Sequence, residues 1–219
     1  MNKELFKRIL SALFLIPVSF FFIIKGSHYL LFYLSIIFLI ISYEWYNLSK
    51  NNNLLKVLGI LFLILSFFSA YFLRINFGLS IFMIVITICI FTDIGGYMFG
   101  KIFKGPKLIK ISPNKTYAGM VGSFVLSTLS ILIFIKYLKF FSLNDTLLEL
   151  NKSNLHYIFI ILLISAISQI GDLIISYFKR LAKVKNTGKL LPGHGGLLDR
   201  FDGIIFAIPT SYVLIKYLI

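Results

Sequence analysis

Seven apolar stretches, each close to the length that crosses a lipid bilayer as helix, constrain this chain more than any other feature. They run over about residues 9–25, 29–48, 56–73, 79–100, 118–140, 156–178 and 202–219. A helix rises about 1.5 Å per residue, so about 20 apolar residues cover a hydrocarbon core about 30 Å thick. The stretches are continuous and lack the apolar-polar alternation of an outer-membrane barrel. Hydrophobic residues make up 58% of the 219 positions and the mean hydropathy is +0.92. Charged residues are only 14%, against about 25% in soluble domains. Such a chain cannot cover its surface with polar groups, so its solvent is lipid. The expected fold is an all-α polytopic membrane protein with about seven transmembrane helices. Met1–Lys25 has the basic start and apolar core of a signal peptide. It lacks a small-residue cleavage site and more spans follow, so it reads as a retained first helix. The single cysteine, Cys89, lies inside an apolar run and excludes a disulfide framework.

The basic residues orient the spans. With the amino terminus in the cytoplasm, that side receives Lys3, Lys7, Arg8, Lys50 and Lys56, then Lys101, Lys104, Lys107, Lys110 and Lys115. It also receives Lys179, Arg180, Lys183, Lys185, Lys189 and Arg200. The opposite side keeps Lys25, Arg74, Lys136, Lys139, Lys152 and Lys216. This bias predicts a cytoplasmic N-terminus and an external C-terminus in the cell inner (plasma) membrane. The net charge of +14, from 22 Lys and Arg against 8 Asp and Glu, would suggest nucleic acid in a soluble protein. Here it fits membrane orientation and attraction to anionic lipid and phosphate, with no nucleic-acid partner. No repeat and no long linker divides the chain. Residues 1–78 are expected to supply N-terminal membrane helices. Residues 79–219 are expected to form the catalytic membrane region, with cytoplasmic loops 101–117 and 179–201.

Eight acids are present: Glu4, Glu44, Asp93, Asp145, Glu149, Asp172, Asp199 and Asp202. Glu4, Asp145 and Glu149 fall in tails or loops and read as solvated charge. Glu44, in Ser42-Tyr43-Glu44-Trp45-Tyr46, reads as a helix-end acid in an aromatic interfacial belt. The four aspartates have polar company at helical spacing. Ser165, Ser168 or Gln169, Asp172, Ser176 and Lys179 recur every three or four positions and make one polar stripe on an Ile/Leu-rich helix. A stripe of this kind faces a cavity or a partner helix, because a carboxylate facing lipid costs several kcal/mol. Asp93, Gly96 and Gly100 share a face on which a second backbone or a ligand can come close.

The segment Leu191-Pro192-Gly193-His194-Gly195-Gly196-Leu197-Leu198-Asp199-Arg200-Phe201-Asp202 holds the third polar cluster. Its proline and glycines expose backbone N–H groups to which phosphate oxygens could approach. If the last helix begins near Leu198, Asp199 and Asp202 stand three apart on one face. Two carboxylates so placed repel unless a cation lies beside them. A divalent metal answers this, with Arg200 or a nearby lysine as the simpler alternative. His194 either contacts phosphate or caps the turn. The two basic loops lie on the same side as the four aspartates, and together they suit a polyphosphate with its metal.

The run Ser176-Tyr177-Phe178-Lys179-Arg180, then Lys185, then Leu191 to Asp202, resembles the signature of the phosphatidate cytidylyltransferase, or CDP-diacylglycerol synthase, family. Gln169-Ile170-Gly171-Asp172 is similar to that family's Gly-Asp element. Asp93–Lys101 and Ile111–Thr116 are similar to an earlier cytoplasmic-end region, and Glu44-Trp45 has a family counterpart. The sequence departs at Asn186, where the family usually has Asp, and at Ala118, where it usually has Glu or Gln.

The resemblance implies transfer of CMP from CTP to phosphatidic acid in the bilayer, giving CDP-diacylglycerol and diphosphate with Mg2+ as cofactor. It implies Asp172 and Asp199 as metal ligands, with Asp202 a ligand or its neighbour. Lys179, Arg180 and Lys185 would hold phosphates. Ser112, Asn114, Lys115 and Thr116 would meet the nucleotide or lipid head group, with Asp93 organising them. Ser176, His194, Gly195, Gly196 and Arg200 complete the expected substrate-binding set, and a homodimer is expected from the resemblance alone. A polytopic transporter is the reading from another class, since intramembrane acids and Gly-rich breaks also mark transport pathways. A CTP-dependent enzyme acting on another lipid is the nearer alternative. A non-catalytic membrane subunit would have no use for carboxylates beside so many basic residues.

Overall fold

A computed structural model describes residues 3–50, 52–109, 112–140, 154–188, 190 and 195–218. Within them the chain is almost entirely helical: α1 (Lys3–Lys25), α2 (Ser27–Leu48), α3 (Asn53–Phe103), α4 (Tyr117–Phe140), α5 (Asn154–Leu181), α6 (Leu198–Phe201) and α7 (Ile204–Leu218). Among the described residues, four helical segments are long and apolar enough to cross a membrane: Ser27–Leu48, Asn53–Phe103, Tyr117–Phe134 and Leu155–Leu181. Leu15–Lys25 is a shorter apolar helix. Large apolar side chains such as Leu39, Phe68 and Leu155 are exposed on the outside, as lipid-facing residues are. This is a helical membrane protein.

Three expected boundaries change. The stretches 56–73 and 79–100 are not separated by a loop: α3 runs on for 51 residues through a non-helical Gly78 (φ 83, ψ 179). At about 1.5 Å per residue its contour is about 77 Å, more than twice a hydrocarbon core. Gly78 has a backbone conformation that side-chain-bearing residues avoid, and there the helix breaks its direction. The basic loop 101–117 contains an antiparallel ribbon, β1 (Lys107–Ile109) and β2 (Ser112–Thr116), with Lys107 opposite Thr116 and Ile109 opposite Ser112. The last helix is split, because Asp202-Gly203 forms a turn between the four-residue α6 and α7.

Each turn has a local cause. Asn52 caps α3 by accepting the Leu55 N–H at 3.1 Å, and Thr116 caps α4 by accepting that of Gly119 at 3.1 Å. Helix α5 ends with Lys183 at φ 56; Val184 N–H bonds Lys179 C=O and Lys183 N–H bonds Arg180 C=O. That pair of bonds is the Schellman arrangement, which ends the helix and turns the chain out of it. Arg74 donates to Ile23 and Ile24 carbonyls at the end of α1, satisfying acceptors that a helix terminus leaves open.

The packing places α3 at the centre, against α4, α7, α2 and α5. One apolar cluster joins Leu73, Val85 and Ile88 of α3 to Ile164 of α5 and Ala207 of α7. A second joins Ile41 and Trp45 of α2 to Leu63, Ile175, Leu198 and Ile205. Small residues bring α3 and α4 close: a Cβ on Gly95 would stand 2.5 Å from the Gly122 carbonyl oxygen, and one on Gly119 would stand 2.7 Å from that of Gly96. The glycine face near Asp93 therefore serves a second backbone, the first of the two readings above.

Candidate active site

The functional side chains meet where the C-terminal part of α3 (Asp93), β2 (Lys115), the C-terminal third of α5 (Asp172 and Lys179) and the α6–α7 turn (Asp202) converge. A buried polar seam supports this place. Thr92 is 1% exposed and donates to Ser165 Oγ at 2.8 Å, while Ser123 donates to the Thr92 carbonyl at 2.7 Å. The seam ties α3 to α5 and α4 immediately below Asp93. The α5 stripe lies inside the molecule as its spacing implies, with Ser165 and Ser168 fully buried.

Asp172 forms an ion pair with Lys115, whose ammonium also reaches the Gln169 carbonyl at 3.4 Å. Asp202, buried at the α6–α7 turn, has its carboxyl within hydrogen-bonding reach of Asp172. Its Oδ1 also accepts the Gly203 N–H at 3.0 Å. Asp93 is the third acid of the cluster and interacts electrostatically with Asp172, Asp202, Lys115 and Arg200. Lys179 interacts with both Asp172 and Asp202. The result is three carboxyl groups interleaved with three basic side chains.

Asp199 faces different partners from Asp202, although they stand three positions apart. Lys179 Nζ donates to Asp199 Oδ1 at 2.8 Å, and Asp199 Oδ2 accepts the N–H groups of Thr187 at 2.8 Å and Gly196 at 3.0 Å. The side chains of this pair are 14% and 8% exposed. Lys179 is thus the link between Asp199 and the other acids. Gly195 has φ 92, and a Cβ there would lie 3.0 Å from both Asn186 and Asp199, so Asn186 borders the Asp199 carboxylate.

The remaining expected residues distribute as follows. Lys185, Arg180 and Arg200 are exposed, and Ser176 and Ser112 are partly buried. Thr116 uses its hydroxyl oxygen to cap α4. Asn114 is described in its backbone only, within β2. His194 lies outside the described residues, as do Leu191, Pro192 and Gly193.

Glu44 departs from its expected place. It is not at an interface but 4% exposed, accepting from Leu197 N–H at 2.9 Å, Leu198 N–H at 2.8 Å and the Thr187 hydroxyl at 3.0 Å. Trp45, also buried, donates its indole N–H to the Leu55 carbonyl at 3.1 Å and packs edge-on against Phe178. The flanking Tyr43 and Tyr46 are exposed. The family counterpart of Glu44-Trp45 was the one sequence signal for this position.

Among the described residues no three acidic, His or Cys side chains form a ready metal cage. The Asp172–Asp202 pair nevertheless suits a hard divalent cation, because two carboxyl groups in contact need shared positive charge or a shared proton. Mg2+ commonly binds through one or two carboxylates together with substrate phosphates and water. Asp199 fits less well, since Lys179 and two amides already engage both its oxygens.

Beside the cluster lies an apolar cavity of about 670 Å³, lined among others by Leu15, Phe22, Ile37, Phe67 and Ile205. Arg200 and Phe201 line it too. Arg200 therefore borders both the cavity and the field of Asp93.

Comparison with known proteins places the chain in a family. The family model described as the cytidylyltransferase family matches residues 51–218. The chain belongs to that family. A phosphatidate cytidylyltransferase of Staphylococcus haemolyticus is 39% identical over 125 residues, covering 57% of this chain and 44% of that protein. One of Rickettsia conorii is 39% identical over 140 residues, covering 62% and 59%. One of Staphylococcus saprophyticus is 37% identical over 139 residues, covering 63% and 50%. The chain spans about half the length of the relatives it matches.

Proposed function

We propose that this chain is a phosphatidate cytidylyltransferase, transferring CMP from CTP to phosphatidic acid to give CDP-diacylglycerol and diphosphate. The observation that carries this reading is the meeting of Asp93, Asp172 and Asp202 with Lys115, Lys179 and Arg200, directly beside an apolar cavity. A charged centre for phosphates with an adjoining apolar space suits a nucleotide and a lipid that must react with each other. Family membership and the names of the relatives support the same choice.

The chemistry asks little of an acid or base. A phosphate monoester is largely ionised near neutral pH, its second pKa being about 6, so its oxygen is already nucleophilic. That oxygen attacks the α-phosphorus of CTP. The bond to the bridging α–β oxygen breaks, and diphosphate leaves with its electron pair. Lys179, Arg180 and Lys185 hold the nucleotide phosphates and offset charge on the departing diphosphate. Lys115, steadied by Asp172 and Gln169, meets phosphate at the same centre, with Ser112, Asn114 and Thr116 on the adjoining ribbon. Asp93 orients Lys115 and Arg200, and Arg200 draws the phosphatidate head group to the mouth of the cavity. Asp172 and Asp202 would hold Mg2+, which supplies neutralisation of the clustered phosphate charge and alignment for in-line displacement.

In this reading α3 crosses the bilayer twice by its two halves around Gly78, and α1, α2, α4, α5 and α7 supply the other spans. The amino terminus and both basic loops then face the cytoplasm, where CTP is found, in the bacterial inner (plasma) membrane. Purified protein in mixed micelles with CTP, phosphatidate and Mg2+ should form a lipid-soluble CDP product and one diphosphate per lipid. Folded protein that forms no such product would refute the proposal.

A further inference from the structure

Residues 184–188 and 195–197 belong to no helix, yet they flank Asp199 in the fold and must be held if Asp199 and Lys179 are to keep their places. Two carboxylates grip these residues at adjacent points. Asp199 accepts the backbone N–H groups of Thr187 and Gly196. Glu44, on α2, accepts the Thr187 hydroxyl and the N–H groups of Leu197 and Leu198. Thr187 therefore bridges the two acids, its backbone bonded to one and its side chain to the other. Close approach is built into the segment, since a Cβ on Gly188 or Gly196 would lie 2.5 Å from a Glu44 carboxylate oxygen. Glu44 is itself fixed, because the adjacent Trp45 is bonded to α3 and packed on Phe178 of α5.

We infer that Glu44 is a positioning residue for cytidylyl transfer, acting through Thr187, Leu197 and Leu198 to hold Asp199 and Lys179 where the nucleotide phosphates bind. The inference rests on the reading of Lys179 and Lys185 as phosphate contacts. It assigns to α2, which contributes no residue to the charged cluster, control over nucleotide binding. A carboxylate is needed because three donors converge on it. An amide in its place turns an N–H₂ group toward at least one of these donors.

The test compares Glu44→Gln, Thr187→Val and Thr187→Ser in full-length protein in micelles, by amide hydrogen exchange and by kinetics. Glu44→Gln should speed exchange of the Thr187, Gly196, Leu197 and Leu198 amides about tenfold, the scale of one lost charge-assisted bond. Exchange in the α3 and α5 cores should stay unchanged. The KM for CTP should rise about fivefold or more, while that for phosphatidate stays within about twofold, because only the nucleotide side of the site is loosened. Thr187→Val should reproduce both effects, and Thr187→Ser, which keeps the hydroxyl, should restore them. Combining Glu44→Gln with Thr187→Val should add little to either alone.

Faster exchange spread evenly over the molecule would overturn the inference, as would equal rises in both KM values. So would a Thr187→Ser protein no better than Thr187→Val. The exchange measurement does not depend on turnover. Wild-type protein without cytidylyl transfer would refute the reading of the reaction, and the exchange pattern alone would then decide whether Glu44 holds the segment.

Discussion

Lys179 is the side chain on which the most charge depends. It pairs with Asp199 at 2.8 Å and interacts with Asp172 and Asp202. Replacing it by methionine keeps the length of the stem but leaves Asp199, 8% exposed, without its cation. Removing one partner of a buried pair costs about 3–5 kcal/mol. The two backbone amides on Asp199 offset part of that, so Lys179→Met should destabilise the protein by about 2–3 kcal/mol, measured by denaturant unfolding in micelles. Thr116→Ala removes only a helix cap, and about 1 kcal/mol is expected in the same measurement. The aspartates and Lys179 were legible in the sequence because each repeats a helical period or lies in the Leu191–Asp202 signature. Glu44 was not. Its partners lie 143 to 154 positions away, no local spacing reveals them, and its aromatic neighbours look alike at an interface and in a packed core. The different partners of Asp199 and Asp202 were also hidden, because a three-residue spacing assumes one continuous helix and the chain turns at Asp202-Gly203.

The glycines of α3 act at the scale of elements, and intrinsic propensity gives the wrong sign for their replacement. Alanine exceeds glycine in helix propensity by about 1 kcal/mol. At Gly95 the new Cβ would stand 2.5 Å from the Gly122 carbonyl oxygen on α4, and forcing packed backbones apart costs about 1–3 kcal/mol. Packing wins, so Gly95→Ala should lower stability and loosen α3 from α4, seen as faster amide exchange at Thr92–Gly96. At Gly78 the cause is the backbone itself, because φ 83 and ψ 179 is a conformation nearly confined to glycine. Gly78→Ala should destabilise by about 1–3 kcal/mol through backbone strain, read by the same denaturant unfolding. Apolar run length marked the apolar helices, but it cannot tell a loop from a single kinked residue. The stretch between residues 73 and 79 carries Arg74, Asn76 and Gly78, which read as a short turn as readily as a kink. The ribbon of Lys107–Ile109 and Ser112–Thr116 was hidden for another reason: the lysines of this loop read as an orientation signal, and their spacing of three to five lacks the alternation of a strand.

At the scale of the molecule, helices bring a charged centre and an apolar cavity to one place, with Arg200 between them. That juxtaposition suits the proposed joining of a nucleotide to a lipid, and it was not visible in spacing alone. Asp172→Asn or Asp202→Asn, made singly, should reduce turnover at least about 100-fold while leaving the helices assembled, because each removes half of the pair proposed to hold Mg2+. Retained turnover in both would contradict that role. The most direct test of the central claim follows the phosphorus atoms. With phosphatidate vesicles and Mg2+, CTP labelled at the α-phosphorus should pass its label into lipid, and CTP labelled at the γ-phosphorus should leave its label in diphosphate. Label from the γ-phosphorus in the lipid, or from neither position, would contradict the account.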